Sequence, residues 1–125
     1  MFMRILLFTI AFISSMTLVG QSSEQFFEAI KASDFDKMST MLDSDVELCI
    51  KSGTEMLSKA EALRDIKAFL AEYQPKSVKS IHSGSNARNA SKYKVAKLVT
   101  SNGTYRVFVY MEGGNKISEV RFDPF

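Results

Sequence analysis

The sequence predicts an α+β domain in which helices precede a mainly antiparallel sheet, and three stretches carry that prediction. Residues 92–122 read KYKVAKLVTSNGTYRVFVYMEGGNKISEVRF, three runs rich in Val, Tyr, Phe and Ile, separated by the hairpin signals Asn102-Gly103 and Gly113-Gly114. Ser58 stands three positions before Glu61, the spacing of a capping box, and Leu63, Ile66, Leu70 and Tyr73 follow at helical spacing until Pro75. Two shorter apolar stripes, Phe26-Phe27-Ala29-Ile30 and Phe35-Met38-Met41-Leu42, precede it with helical periodicity.

In chain order, residues 1–20 (MFMRILLFTIAFISSMTLVG) have the layout of a secretory signal peptide: one charge at Arg4, an apolar run from Ile5 to Ile13, then smaller and more polar residues. The run is too short for a stable membrane span. Cleavage after Gly20 leaves residues 21–125 as one domain, exported to the periplasm or the medium.

The first helix starts after Ser22, with Gln25 as a capping partner. The second is capped at Ser33-Asp36, and Asp43-Ser44-Asp45 ends it. Val46 to Lys51 reads as a short strand with Val46, Leu48 and Ile50 on one face and Cys49 on the other. Gly53 marks a turn before the Ser58 helix. Val78 to His82 reads as a strand, and Gly84, Ser85, Asn86 and Asn89 as a bend, bulge or loop.

A two-residue turn at Asn102-Gly103 sets Leu98 opposite Val107 and Ala96 opposite Val109; a second turn at Gly113-Gly114 sets Val107 opposite Val120 and Tyr105 opposite Phe122. Alternation then gathers Ala96, Leu98, Tyr105, Val107, Val109, Met111, Val120 and Phe122 on one face, which the helices should cover. The other face carries Val95, Arg106, Phe108, Tyr110 and Ile117 beside Lys97, Glu119 and Arg121. An apolar centre flanked by charges suits a two-fold interface, so these five residues are candidate contacts of a homodimer through the outer face.

Composition bounds the chemistry. Cys49 is the only cysteine, which excludes an intrachain disulfide and a CxxC site. His82 is the only imidazole. Without the leader, 15 basic and 14 acidic residues remain, unevenly spread: residues 24–72 hold 11 acids and 6 bases, residues 73–125 hold 3 acids and 9 bases. The cations fall on strands and turns with no compact cluster along the chain, so no nucleic-acid partner is expected. No Gly-rich phosphate loop occurs, and no catalytic, cofactor-binding or metal-ligating residue is assigned.

The order helix, helix, strand, long helix, then antiparallel strands resembles the cone-shaped fold of the nuclear transport factor 2-like superfamily. Asp45-Val46-Glu47-Leu48 with Ile50, the Ser58-Lys59-x-x-Ala62 helix start, His82-x-Gly84, and Tyr93-x-Val95-x-x-Leu98-x-Thr100-x-x-Gly103-x-Tyr105-Arg106-Val107 are similar to a family of small secreted Bacteroidetes proteins of unknown function within it. The resemblance implies a signal peptide, one domain and no assigned activity.

Catalytic members of the superfamily use a pocket between the long helix and the sheet. Here its lining would be Leu63, Ile66, Leu98, Tyr105, Val107, Val109, Met111, Val120 and Phe122, with no carboxylate on the inward strand positions. The expectation is therefore a non-catalytic interaction or small-ligand-binding module without a cofactor, any ligand being apolar or amphiphilic. An isomerase- or hydrolase-like enzyme using that pocket is the alternative.

Overall fold

The computed structural model describes residues 22–125; the expected leader, residues 1–20, lies outside them. The elements run α1 (Ser22–Ala32), α2 (Phe35–Met41), β1 (Leu42–Ile50), β2 (Gly53–Ser58), α3 (Lys59–Glu72), β3 (Pro75–Asn86), β4 (Ser91–Thr100), β5 (Gly103–Met111) and β6 (Ile117–Pro124). The strands form one sheet in the order β2-β1-β6-β5-β4-β3. Neighbours are antiparallel except β1 and β6, which run parallel because the helix and four strands between them bring the chain back alongside β1.

The helix ends follow from local hydrogen bonding. Ser58 and Glu61 form the expected capping box: the Glu61 N–H donates to Ser58 Oγ (3.2 Å) and the Ser58 N–H to Glu61 Oε1 (3.0 Å). Two orphan donors at the start of α3 are thereby satisfied. The cap of α2 is Asp34, whose Oδ1 accepts from the Lys37 N–H (3.1 Å), rather than Ser33. Ser33 instead adopts φ +53° in the turn that ends α1. Ser22, expected as a cap, is already the first helical residue of α1.

Three strand assignments change. Leu42, expected on the second helix, is its C-cap and opens β1, where it is fully buried. Gly53 is not simply a turn before the helix: residues 53–58 pair with β1 as edge strand β2, from Ile50 opposite Gly53 to Asp45 opposite Ser58. Its exposed side chains give no alternation to read, because β1 supplies its backbone partners and little covers it. The strand expected over Val78 to His82 and the bend, bulge or loop expected at Gly84 to Asn86 belong to one 12-residue edge strand, β3, with irregularities between Pro75 and Ser77 and between Ser80 and His82.

The inward face is the one the alternation predicts. Ala96, Leu98, Tyr105, Val107, Val109, Met111, Val120 and Phe122 are all buried in one cluster with Phe26, Ile30, Met38, Leu42, Val46, Leu48, Ile66, Phe69 and Leu70. Each large side chain buried there contributes roughly 1.5–3 kcal/mol. Phe69 of α3 meets Phe122 and Tyr105 with ring centroids 4.8 and 5.1 Å apart, joining helix to sheet.

The register, however, lies two residues away from the expected one. Thr100 pairs with Gly103, Leu98 with Tyr105 and Ala96 with Val107, so the turn residues are Ser101 and Asn102. Thr100 Oγ1 donates to the Gly103 carbonyl (2.6 Å) and accepts from the Asn102 N–H (3.0 Å). The turn is also docked on the end of α3: the Ser101 N–H donates to Gln74 O (2.9 Å) and Asn102 Nδ2 to Glu72 O (3.0 Å). A shift of two leaves each residue on its expected face.

Ile117 is the exception. Tyr110 pairs with Glu119 but Met111 with Ile117, so Ser118 is an extra residue in β6. A one-residue bulge reverses the alternation beyond it, and Ile117 turns from the outer face into the core, with no exposed surface.

Candidate functional site

The interior that the pocket expectation points to is occupied by side chains. Ile66, Leu98, Val107, Val109, Val120 and Phe122 have no exposed surface, Met111 and Tyr105 retain 2% and 7%, and Leu63 packs half-buried against the same cluster. Among the described residues, clefts of about 290–380 Å³ open at the periphery instead. Of the nine expected lining residues, only Met111 borders any of them, in a cleft of about 340 Å³ with Ser23, Tyr93 and Lys94.

One of these clefts, about 290 Å³, lies at the C-terminal end of α3 beside the core. It is lined by Ile50, Lys51, Asp65, Ala68, Phe69, Glu72 and Tyr73. Lys51, at φ +65° in the β1–β2 turn, donates from Nζ to the Tyr73 hydroxyl, and its backbone N–H donates to Phe122 O (2.8 Å). The Lys51 bond lowers the Tyr73 phenol below its ordinary value, while burial raises Tyr105, 5.2 Å away between ring centroids. Lys51, exposed, lies 4.6 Å from the centroid of the half-buried Tyr73 ring and closes the core over buried Tyr105.

The outer face is built in rows by the sheet register. One row is His82, Val95, Phe108, Arg121 and Cys49. The next is Gly84, Tyr93, Tyr110, Glu119 and Glu47. The third is Lys79, Lys97, Arg106 and Asp123. Val95 and Cys49 are buried although they lie outside the core cluster, and Phe108 and Tyr110 are half-buried. Cys49 is a free thiol.

Of the five expected interface residues, Val95, Arg106, Phe108 and Tyr110 share this surface. Ile117 does not, for the reason of the Ser118 bulge. What the sequence reading missed is Tyr93 with His82. The Tyr93 ring covers Gly84, its register partner, stacks near Phe108 (5.7 Å) and places its hydroxyl 2.9 Å from His82 Nε2. A glycine opposite an aromatic residue on adjacent strands was the signal available for that contact.

Charge is distributed unevenly over the rows. Arg121 lies between Glu119 (3.8 Å) and Asp123 (3.4 Å), and burial together with the Glu47 charge raises the Glu119 carboxyl above its ordinary value. Lys97 Nζ and the Arg106 guanidinium lie 5.1 and 4.9 Å from the centroid of the Phe125 ring. Among the described residues no group of three or more His, Cys, Asp and Glu side chains is placed to hold a metal ion, and no helix is long and apolar enough to cross a membrane.

Helices laid on one face of a six-stranded mixed sheet, with the opposite face uncovered by helix, define an α+β domain of the nuclear transport factor 2-like architecture. Residues 23–123 match the family described as domain of unknown function (DUF4783), and the chain belongs to that family. It is similar to DUF4783 proteins of Bacteroides uniformis (23% identity, 82% of this chain and 95% of that one, TM-score 0.74) and Bacteroides ovatus (19%, 80% and 92%, 0.73). A de novo designed protein with a curved β-sheet is also similar (15% identity, 84% and 83%, TM-score 0.62). No curated protein matches the chain. Natural and designed chains share the architecture, so function must be argued from the residues of this surface and not from the fold.

Proposed function

We propose that this is an exported, non-catalytic interaction module whose working surface is the outer face of the sheet, with a second copy of the chain as its partner. The observation that supports this reading is the apolar centre of that face: Val95, Phe108, Tyr93 and Tyr110 adjoin one another across β4 and β5, with charged side chains at their margins. Aromatic residues at the centre of a patch and charges at its rim are the composition of protein interfaces. The interior favours no enzyme. Among the described residues, the only titratable side chain buried in the core cluster is Tyr105, and acid-base catalysis needs a group with a pKa tuned toward the working pH.

Sedimentation of the purified protein tests the assembly. The wild type should dimerise at micromolar concentration, and Phe108→Glu should return it to the monomer mass while its circular dichroism is unchanged. A wild type that is monomeric at high micromolar concentration overturns the reading. Export is tested separately: the protein recovered from cells should have the intact mass of a chain beginning near Gln21, and an uncut cytoplasmic chain would refute it.

A further inference from the structure

The outer face carries a charge pattern that its apolar centre does not require. Lys79 is the register partner of Lys97, and Lys97 of Arg106, so three cations stand side by side across β3, β4 and β5. Cross-strand neighbours lie about 5 Å apart, and like charges directly opposite one another destabilise a sheet. Among the described residues none of the three has a carboxylate within 4 Å. Asp123, next in the row, has its carboxylate toward Arg121.

The other side of the same face has the opposite excess. Glu47 and Glu119 are register partners on β1 and β6, and with Asp123 they outnumber Arg121, the one cation set between them. Each half of the face therefore holds an excess of one sign: on the basic side Lys97 and Arg106 share the Phe125 ring, and on the acidic side Arg121 offsets part of the charge. Burial first, and the Glu47 charge after it, raise the Glu119 carboxyl on the acidic side.

We propose that the face is polarised so as to orient its own copy: the β3–β5 end of one molecule lies on the β6–β1 end of the other. The inference rests on the outer-face reading above and adds the direction of mating. In a face-to-face two-fold dimer the axis lies in the interface plane. An axis running between the two halves places each half on its opposite, and the favourable contact is made twice. An axis crossing both halves would set the three cations against three cations. Electrostatic complementarity selects between such registers, since like-charge juxtaposition penalises the wrong one. An external polyanion would use Lys79, Lys97 and Arg106 but leave Glu47 and Glu119 as they are, so a second copy accounts for more of the pattern.

The test is a charge-reversal exchange read by sedimentation equilibrium. Lys97→Glu/Arg106→Glu gives both halves of the face a net acidic excess, with Lys79 and Arg121 kept; Glu47→Lys/Glu119→Lys gives a basic excess, with Asp123 kept. Each variant alone should dimerise at least tenfold more weakly than wild type, and an equimolar mixture should form a heterodimer, because every reversed half then meets its complement. Recovery in the mixture also demonstrates that both variants are folded. If wild type dimerises and both variants, folded by circular dichroism, dimerise alone as tightly as wild type, the orientation is wrong, because an axis crossing both halves already sets like charge on like, while the outer-face reading stands or falls with Phe108→Glu. A monomeric wild type that is retained on immobilised poly-aspartate through Lys97 and Arg106, indifferent to Glu47 and Glu119, overturns the proposal in favour of an external anion.

Discussion

Replacing Gly84 by alanine should destabilise the domain, although alanine ordinarily stabilises where its backbone conformation fits. A Cβ at Gly84 would lie 2.7 Å from Tyr93 Cζ and 2.8 Å from Tyr93 Oη, so the ring must leave its place on β3. That movement breaks the 2.9 Å bond between Tyr93 and His82 and the 5.7 Å stack on Phe108. The exposed hydrogen bond contributes about 0.5 kcal/mol, at the low end of its range, and the aromatic pair about 0.5–1.5 kcal/mol. The smaller entropy of the unfolded alanine chain offsets about 0.4–1 kcal/mol. A net loss of up to about 1.6 kcal/mol is expected, moving the urea midpoint down by at most about 0.8 M at a slope near 2 kcal/mol/M. The decisive measurement is the double-mutant cycle with Tyr93→Ala. With the ring removed, Gly84→Ala should become neutral or stabilising. An equal loss in both backgrounds would refute the reasoning and assign the glycine a backbone role instead.

Three other outcomes follow from the fold. Leu98→Ala should cost about 2–5 kcal/mol in chemical denaturation, because Leu98 has no exposed surface and its neighbours are themselves packed. Ser58→Ala should cost about 1 kcal/mol by removing the cap of α3, and Ser58→Gly should recover most of it; equal losses in the two variants would sink the capping account. Glu24 is held below the ordinary carboxylate value by its bond to Lys94, assisted by Ser80 Oγ, which donates to Glu24 Oε2 (2.9 Å). A depressed carboxylate stabilises fully above its unfolded pKa, and that stability is lost as pH falls through the lowered folded value. Stability measured from pH 6 downward should therefore decline less steeply in Lys94→Met than in wild type, and parallel profiles would remove Glu24 from the acid response.

What the sequence determined by itself was the set of local decisions. Period-two alternation settled which side chains of β4 and β5 turn inward, and it survived a register two residues from the expected one because such a shift preserves the face. The start of α3 was legible because Ser58 and Glu61 satisfy each other within one turn. Tertiary contacts decided what local pattern leaves open. The β4–β5 turn settled at Ser101-Asn102 because its backbone and side chains bond to Glu72 and Gln74 at the end of α3, 27 to 30 residues away in sequence. β2 became a strand because β1 offered it backbone partners, not because its side chains alternate. Ser118 bulged, and Ile117 went into the core instead of onto the outer face. The gathering of Lys79, Lys97 and Arg106 is the plainest case: they are scattered along the chain, and only the pairing of three strands makes them one row. Local pattern acts on neighbours in sequence, whereas charge acts through space, so the composition of a sheet face waits on the register that assembles it.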